Sequence, residues 1–173
     1  MKLNKSTIND FEAIMAFYDD VIDSTPEMLR YARWQKGKHP TREGVKAYIE
    51  EGSMYVYEED GTLVGAMAVT MYQGDDYNAI EWSQQVADNE AAVIHILAVN
   101  PDYQGKGIGS EMIREAIRLA KTNGMKAIRL DALASNTPAH KVYEALGFEY
   151  RGKQHLYAEN TGWTDFYFYE LKL

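Results

Sequence analysis

The stretch Val99-Asn100-Pro101-Asp102-Tyr103-Gln104-Gly105-Lys106-Gly107-Ile108-Gly109-Ser110 decides the architecture of this chain. An apolar run ends at Val99, Asn100-Pro101 stops it, three alternating glycines follow, and a helical pattern begins at Gly109. Glycine lets a backbone approach a ligand closely, because no Cβ stands in the way. Successive N–H groups can then point at one centre, and a helix N-terminus adds about half a positive charge. Such a loop suits a pyrophosphate. Two familiar phosphate loops do not fit it. The dinucleotide pattern G-x-G-x-x-G would need glycine where Ser110 or Met112 stands. No G-K-[ST] ends the loop, so the Walker pattern fails as well.

Downstream, Met112, Ile113, Ala116, Ile117 and Ala120 form one apolar stripe, which predicts a helix over Gly109 to Thr122. Glu111 and Glu115 lie toward its start, Arg118 and Lys121 toward its end, as the helix dipole prefers. Ala127 to Ala132 reads as a strand. Thr137 reads as the cap of a helix whose first residue is Pro138 and which ends near Leu146-Gly147. Phe148 to Gly152 and Phe166 to Leu171 read as strands, and the alternating aromatics of Trp163 to Tyr169 suit a core or a dimer edge.

Upstream, Val93 to Val99 is a strand, and Met54 to Tyr57 and Leu63 to Met71 flank the turn Glu59-Asp60-Gly61 as a hairpin. Gly74 to Asn89 is a polar loop, with Ile80 and Trp82 suggesting a short strand within it. Thr41 caps a helix closed by Gly52, Ile8 to Ile22 has helical spacing, and Lys2 to Thr7 opens the chain as a strand. Pro26 to Pro40 shows no regular pattern. The strand–helix–strand–helix order of the second half predicts an α/β (α+β) fold, a sheet with helices packed on it.

The chain has 173 residues, 46% hydrophobic and 25% charged, which fits one folded domain over residues 1–173. It has no cysteine. That excludes disulfides, thiolate metal sites and a cysteine nucleophile, and fits a reducing compartment. A net charge of −8 argues against binding to nucleic acid or to an anionic membrane. The first residues hold no apolar leader core, and the longest apolar-rich run, Ala91 to Val99, falls short of the roughly 20 residues a membrane span needs. A cytoplasmic location is expected, with no metal.

The glycine loop and its surroundings resemble the GNAT family, the Gcn5-related N-acetyltransferases. That family's coenzyme-A loop reads Q/R-x-x-G-x-G/A, here Gln104-Gly105-Lys106-Gly107-Ile108-Gly109, after Leu97-Ala98-Val99-Asn100-Pro101. The later block with Asn136, Ala139, Tyr143, Gly147 and Phe148 is similar to the family's second motif. The resemblance runs from about Ser53 to the C-terminus. It implies a mixed, splayed sheet flanked by helices, with acetyl-CoA as cosubstrate in the wedge between two parallel central strands, here Val93 to Val99 and Ala127 to Ala132. The main chain of Leu97, Ala98 and Val99 would pair with the pantetheine arm. Gln104, Gly105, Lys106, Gly107, Ile108, Gly109 and Ser110 would hold the pyrophosphate. Asn136 would sit near the pantetheine or substrate, and Tyr143 near the sulfur.

The implied reaction is attack of a primary amine on a thioester. Without cysteine, direct transfer in a ternary complex is the simplest route. A free backbone N–H at Ala98 or Val99 could meet the oxyanion. Tyr143, with an ordinary pKa near ~10, suits the general acid for the leaving thiolate. The glutamate that histone-acetylating members carry on the central strand is replaced here by Val93. His95 is the first candidate base, sharing a face with Leu97 and Val99 by period two. Glu81 is the second. Tyr31, Trp34, Tyr72 and Trp82 are candidates for the acceptor pocket, and Asp131 reads as structural. The expected acceptor is a small amine, and a homodimer is an open possibility. The alternatives are a protein lysine or N-terminal acetyltransferase, which an open groove would favour, and a non-catalytic CoA-binding sensor.

Overall fold

A computed structural model of the chain describes residues 2–173. In chain order it contains β1 (Lys2–Lys5), α1 (Phe11–Ser24), the short α2 (Met28–Tyr31), α3 (Arg42–Glu50), β2 (Met54–Glu59), β3 (Thr62–Thr70), β4 (Ala91–Val99), α4 (Ile108–Thr122), β5 (Ala127–Leu133), α5 (Thr137–Ala145), β6 (Glu149–Ala158) and β7 (Gly162–Lys172). The seven strands form one sheet in the order β1-β2-β3-β4-β5-β7-β6. Every neighbouring pair is antiparallel except β4 and β5. Those two are parallel and pair only from Ala91–Ala127 to Val93–Arg129. Beyond that point they diverge, with β4 still on β3 and β5 still on β7 as far as Leu133.

Helices cover both faces. On one, Met112, Ile113, Ala116 and Ala120 of α4 pack with Val64, Ile94 and Ile128. On the other, Ile14, Phe17, Tyr18 and Val21 of α1 and Val45 and Ile49 of α3 pack on Met54, Ala66 and Ala68. The Thr41 hydroxyl accepts from Gly44 N at 3.0 Å, so the predicted cap of α3 forms. Asp60 and Gly61 both have positive φ, the conformation a two-residue hairpin turn requires. Among the described residues, no helix is long and apolar enough to cross a membrane.

Three sequence expectations change. Asn136, not Thr137, caps α5: its side chain accepts from Ala139 N, and Pro138 stands one position further into the helix. Ile80 and Trp82 form no strand. They are buried at 7% exposure each as a satellite cluster with Tyr77 and Phe168. β6 and β7 are longer than their apolar runs, because a paired hairpin also carries polar residues on its exposed face. Of the two readings of Trp163 to Tyr169, core or dimer edge, the first holds for Phe168 and Tyr169, since β7 lies between β5 and β6 and both residues are buried.

Candidate active site

A cavity of about 450 Å³ opens where β4 and β5 part. Its geometry begins with a bulge. Ala68 pairs with His95 and Ala66 with Ala98, so Ile96 and Leu97 together oppose Met67, and Ile96 takes φ 46°. The buried Tyr18 hydroxyl donates to Ile96 O at 2.8 Å, anchoring the strained residue from α1. The bulge changes which side chains share a face. Leu97 and Val99 join the α4 side, whereas Ile96 and Ala98 join the α1–α3 side. His95 also lies on the α1–α3 side, stacked on Tyr48 of α3 at 5.5 Å. The expectation that His95, Leu97 and Val99 share one face is therefore corrected: the extra residue shifts the period by one.

The glycine loop stands at one mouth of the wedge. Gly105 and Gly107 have φ of 74° and 82°, and a Cβ built on either meets nothing within 4 Å. Gly107 is the N-cap of α4 and supplies no side-chain cap, so the first N–H groups of the helix stay open to a ligand. Lys106 lies over the Tyr103 ring at 4.7 Å, and Gln104 donates to Val99 O at 3.1 Å, tying the loop to the end of β4. An exposed, capless helix start with two glycines in the left-handed region fits a pyrophosphate. From Ile94 onward the side of β4 facing the wedge has no strand partner, which leaves main-chain groups for an extended arm.

Leu97, Ala98, Val99, Gln104, Asn136 and Tyr143 all line the cavity, as do His95 and Trp34. Tyr143 projects from α5, edge-on to Tyr169 at 5.6 Å. Burial raises its pKa, and the nearby Asp131 and Tyr169 raise it further, so it keeps its proton at any working pH. His95 moves the other way, down to about 4, because burial disfavours the imidazolium. Its tautomer follows from its neighbour. Thr70 Oγ1 donates its one proton to Tyr72 O at 2.7 Å, so the 3.1 Å contact with His95 Nε2 needs the proton of the ring nitrogen. Nδ1 then carries the lone pair.

Of the predicted loop residues only Gln104 is in the cavity wall, with Gly105 to Ser110 beyond it, and four predicted catalytic or acceptor-pocket residues lie outside the wall as well. Glu81 is exposed in the β3–β4 loop, where its carbonyl accepts from Arg151. Trp82 is buried under that loop and stacks on the Arg129 guanidinium at 4.1 Å, away from the wedge. Tyr72 is 47% exposed and donates to Glu51, over a separate shallow depression. Tyr31 meets the region through its carbonyl, which accepts from Ser135 Oγ at 3.4 Å.

The sequence reading missed Tyr48, Asn160 and Phe166 and took Asp131 as structural, and all four are in the wall. Asp131 accepts from the Tyr77 hydroxyl at 2.5 Å. Tyr77 is held by its loop, which a buried network fastens to the sheet. Arg129 Nη2 reaches Glu170 at 2.7 Å and Gln84 O at 2.8 Å, Nη1 donates to Gln73, and Ser83 N donates to Glu170 at 3.1 Å. Arg129 and Glu170 side chains are each 1% exposed. Alternation along β5 was a usable signal: Arg129, Asp131 and Leu133 share the face opposite the α4 side.

The family profile described as acetyltransferase (GNAT) family matches residues 14–148. This chain belongs to that family. The acetyltransferase is 25% identical over 162 residues to the uncharacterized N-acetyltransferase YesJ of Bacillus subtilis, covering 87% of this chain and 89% of that one. It is 35% identical over 100 residues to the uncharacterized N-acetyltransferase MJ1207 of Methanocaldococcus jannaschii, a match that spans 58% of this chain and only 40% of that protein. Its fold superposes on the yncA structure of Salmonella typhimurium, solved with its cofactor acetyl-CoA, with a TM-score of 0.72 at 19% identity, covering 100% of this chain and 94% of that one. The acetyltransferase therefore has the splayed, mixed sheet that the two motifs implied.

Proposed function

We propose that this acetyltransferase moves the acetyl group of acetyl-CoA onto the primary amine of a small molecule, by direct transfer within a ternary complex. The observation that carries the reading is how the acceptor end of the cavity is roofed. The segment after α2 is stitched across the splay. Gln35 donates to Asn160 O at 2.8 Å, Asn160 donates to Arg33 O at 2.9 Å, and Ser135 donates to Tyr31 O. These bonds join the first half of the chain to the β6–β7 turn and to the end of β5. Trp34, Tyr48 and Phe166 wall part of a cavity of about 450 Å³ that the pantetheine arm would share, which supports a small acceptor over an extended peptide.

In this reading the glycine loop takes the pyrophosphate and the free side of β4 takes the pantetheine arm. The amine nitrogen attacks the thioester carbon, and the oxyanion meets a β4 backbone N–H near Ala98 or Val99. The C–S bond breaks as Tyr143 gives its proton to sulfur. The tyrosinate then recovers a proton from the acylated nitrogen. His95, neutral and hydrogen-bonded to Thr70, serves as a polar wall group rather than as a store for a proton. Glu81 takes no part. The acetyl-CoA carried by the yncA fold supports the same cosubstrate here.

The test is thiol release from acetyl-CoA with a panel of small amines and short peptides. The chain has no cysteine, so the protein gives no background with a thiol reagent. Release with small amines is expected. Release with peptides alone overturns the small-molecule acceptor, and bound acetyl-CoA with no release from any acceptor points to a sensor.

A further inference from the structure

Among the described residues, Asp131 is the one carboxylate in the cavity wall, and neither lysine nor arginine lines that wall. Tyr77 donates to its Oδ1, which leaves Oδ2 open. Tyr48 lies within electrostatic reach of it, and Trp34 and Phe166 line the same cavity. A carboxylate in such surroundings is costly unless a cation pairs with it, and aromatic faces attract the same cation. The protein itself supplies no such cation to the wall. We propose that the Asp131 carboxylate receives the ammonium group of the acceptor and takes from it the proton that the amine must lose before attack. This rests on the acetyl-transfer reading above and names the acceptor class that the site selects, a protonated alkylamine.

The step balances. The R–NH3+ nitrogen gives one proton to the carboxylate, leaving R–NH2 with a free lone pair and a neutral carboxyl that later returns its proton to water. The need is large. An alkylamine with a pKa near that of lysine, about 10.4, is neutral in roughly one molecule in 2,500 at pH 7. The groups facing Asp131 are Tyr77 and Asp76 from the β3–β4 loop, Tyr48 from α3 and Tyr143 from α5, with His95 and His39 elsewhere in the wall. Burial raises the Asp131 carboxyl above the ordinary carboxylate range, the charge of Asp76 adds to this, and the Tyr77 hydrogen bond opposes it. A raised carboxyl is a better proton acceptor than an ordinary one. His95, with its Nε2–H engaged and its pKa near 4, is a poorer one.

The experiment compares two probes of similar size, 2-phenylethylamine, protonated at pH 7, and 4-ethylaniline, neutral at pH 7. In the wild type, kcat/KM is expected to favour 2-phenylethylamine despite its protonation; a preference for the aniline overturns the proposal without any variant. In Asp131→Asn, kcat/KM for 2-phenylethylamine is expected to fall about a hundredfold or more while that for 4-ethylaniline moves less than about threefold. Equal falls with both probes, or no fall with either, overturn it. Tyr77→Phe keeps the carboxylate and is expected to keep the preference for the charged probe. If it matches Asp131→Asn, Asp131 only anchors the loop. Acetyl-CoA calorimetry on each variant reads whether the wedge is intact. A wild type that binds acetyl-CoA and acetylates neither probe overturns the transfer reading, and this one with it.

Discussion

Replacing Gly107 by glutamate separates the cost to the fold from the cost to the ligand. Gly107 sits at φ 82° with open space where a Cβ would be. A Cβ there meets nothing within 4 Å, so the main cost to the fold is the backbone penalty of about 1–2 kcal/mol for an L-residue in the left-handed region. That corresponds to a fall of roughly 2–8 °C in Tm for a domain of this size. The ligand suffers more. A carboxylate about 5 Å from a pyrophosphate bearing two negative charges costs about 1.7 kcal/mol in a water-like medium and about 7 kcal/mol at an effective dielectric of 20. Even the lower figure weakens binding roughly 20-fold. Calorimetric titration with acetyl-CoA reads the affinity and thermal unfolding reads the fold. Gly107→Gln keeps the bulk without the charge, so added salt should recover affinity in the glutamate variant and leave the glutamine variant unmoved. Gly74→Glu, at an exposed loop position with open space around it, should change neither reading. Unchanged acetyl-CoA affinity in Gly107→Glu refutes the loop as the pyrophosphate site.

Tyr143→Phe should lower kcat by about a hundredfold or more while leaving acetyl-CoA affinity intact, and full turnover would remove Tyr143 as the acid. Tyr18→Phe leaves Ile96 O without its partner inside the protein. It should cost about 1–3 kcal/mol and raise the KM for acetyl-CoA, and unchanged values of both would mean that the bulge holds itself. The His95 pKa is near 4 in the folded chain against about 6.5 unfolded, so between these values the unfolded chain binds a proton that the native one refuses. Its contribution to stability is whole above about pH 6.5 and shrinks as pH falls toward 4. Between pH 7.5 and 5 the wild type should lose about 2 kcal/mol more than His95→Gln in urea unfolding, and parallel losses would refute a neutral, buried His95.

The backbone of the loop proposed for the cofactor was legible in the sequence because its signals are local. Gly105, Gly107 and Gly109 mark a backbone conformation, the α4 stripe marks a buried helix face, and Asn100-Pro101 marks a strand end. Each can be read within about a dozen residues. The half proposed for the acceptor was not legible, because its groups come from distant segments. Asp131 meets Tyr77 across 54 positions, and Gln35 meets Asn160 across 125. Trp82 was read as pocket and Arg129 went unread, although the two stack under one loop. A tryptophan in a polar stretch gives no sign whether it faces a ligand or a buried guanidinium. The bulge at Ile96 was hidden for another reason. His95-Ile96-Leu97-Ala98 continues an apolar run, and no glycine marks the positive φ.

That bulge also explains why the wedge is where it is. Two parallel strands that pair at Ala91–Val93 would go on pairing if each kept a regular pleat. β4 inserts its extra residue three positions beyond Val93, which strengthens its local twist and turns it with β3. β5 is meanwhile held to β7 through seven consecutive pairs, with Arg129 locked to Glu170 at the last residue it shares with β4. One strand is free to bend and the other is pinned, so the gap opens on the β4 side and stays open. The pin and the bend are therefore separable. Loosening Tyr18 should disturb the β4 main chain proposed to meet acetyl-CoA. Loosening the Arg129 network should release the Tyr77 loop and disturb the carboxylate proposed to meet the amine, so the two perturbations should part the KM for acetyl-CoA from the KM for the acceptor.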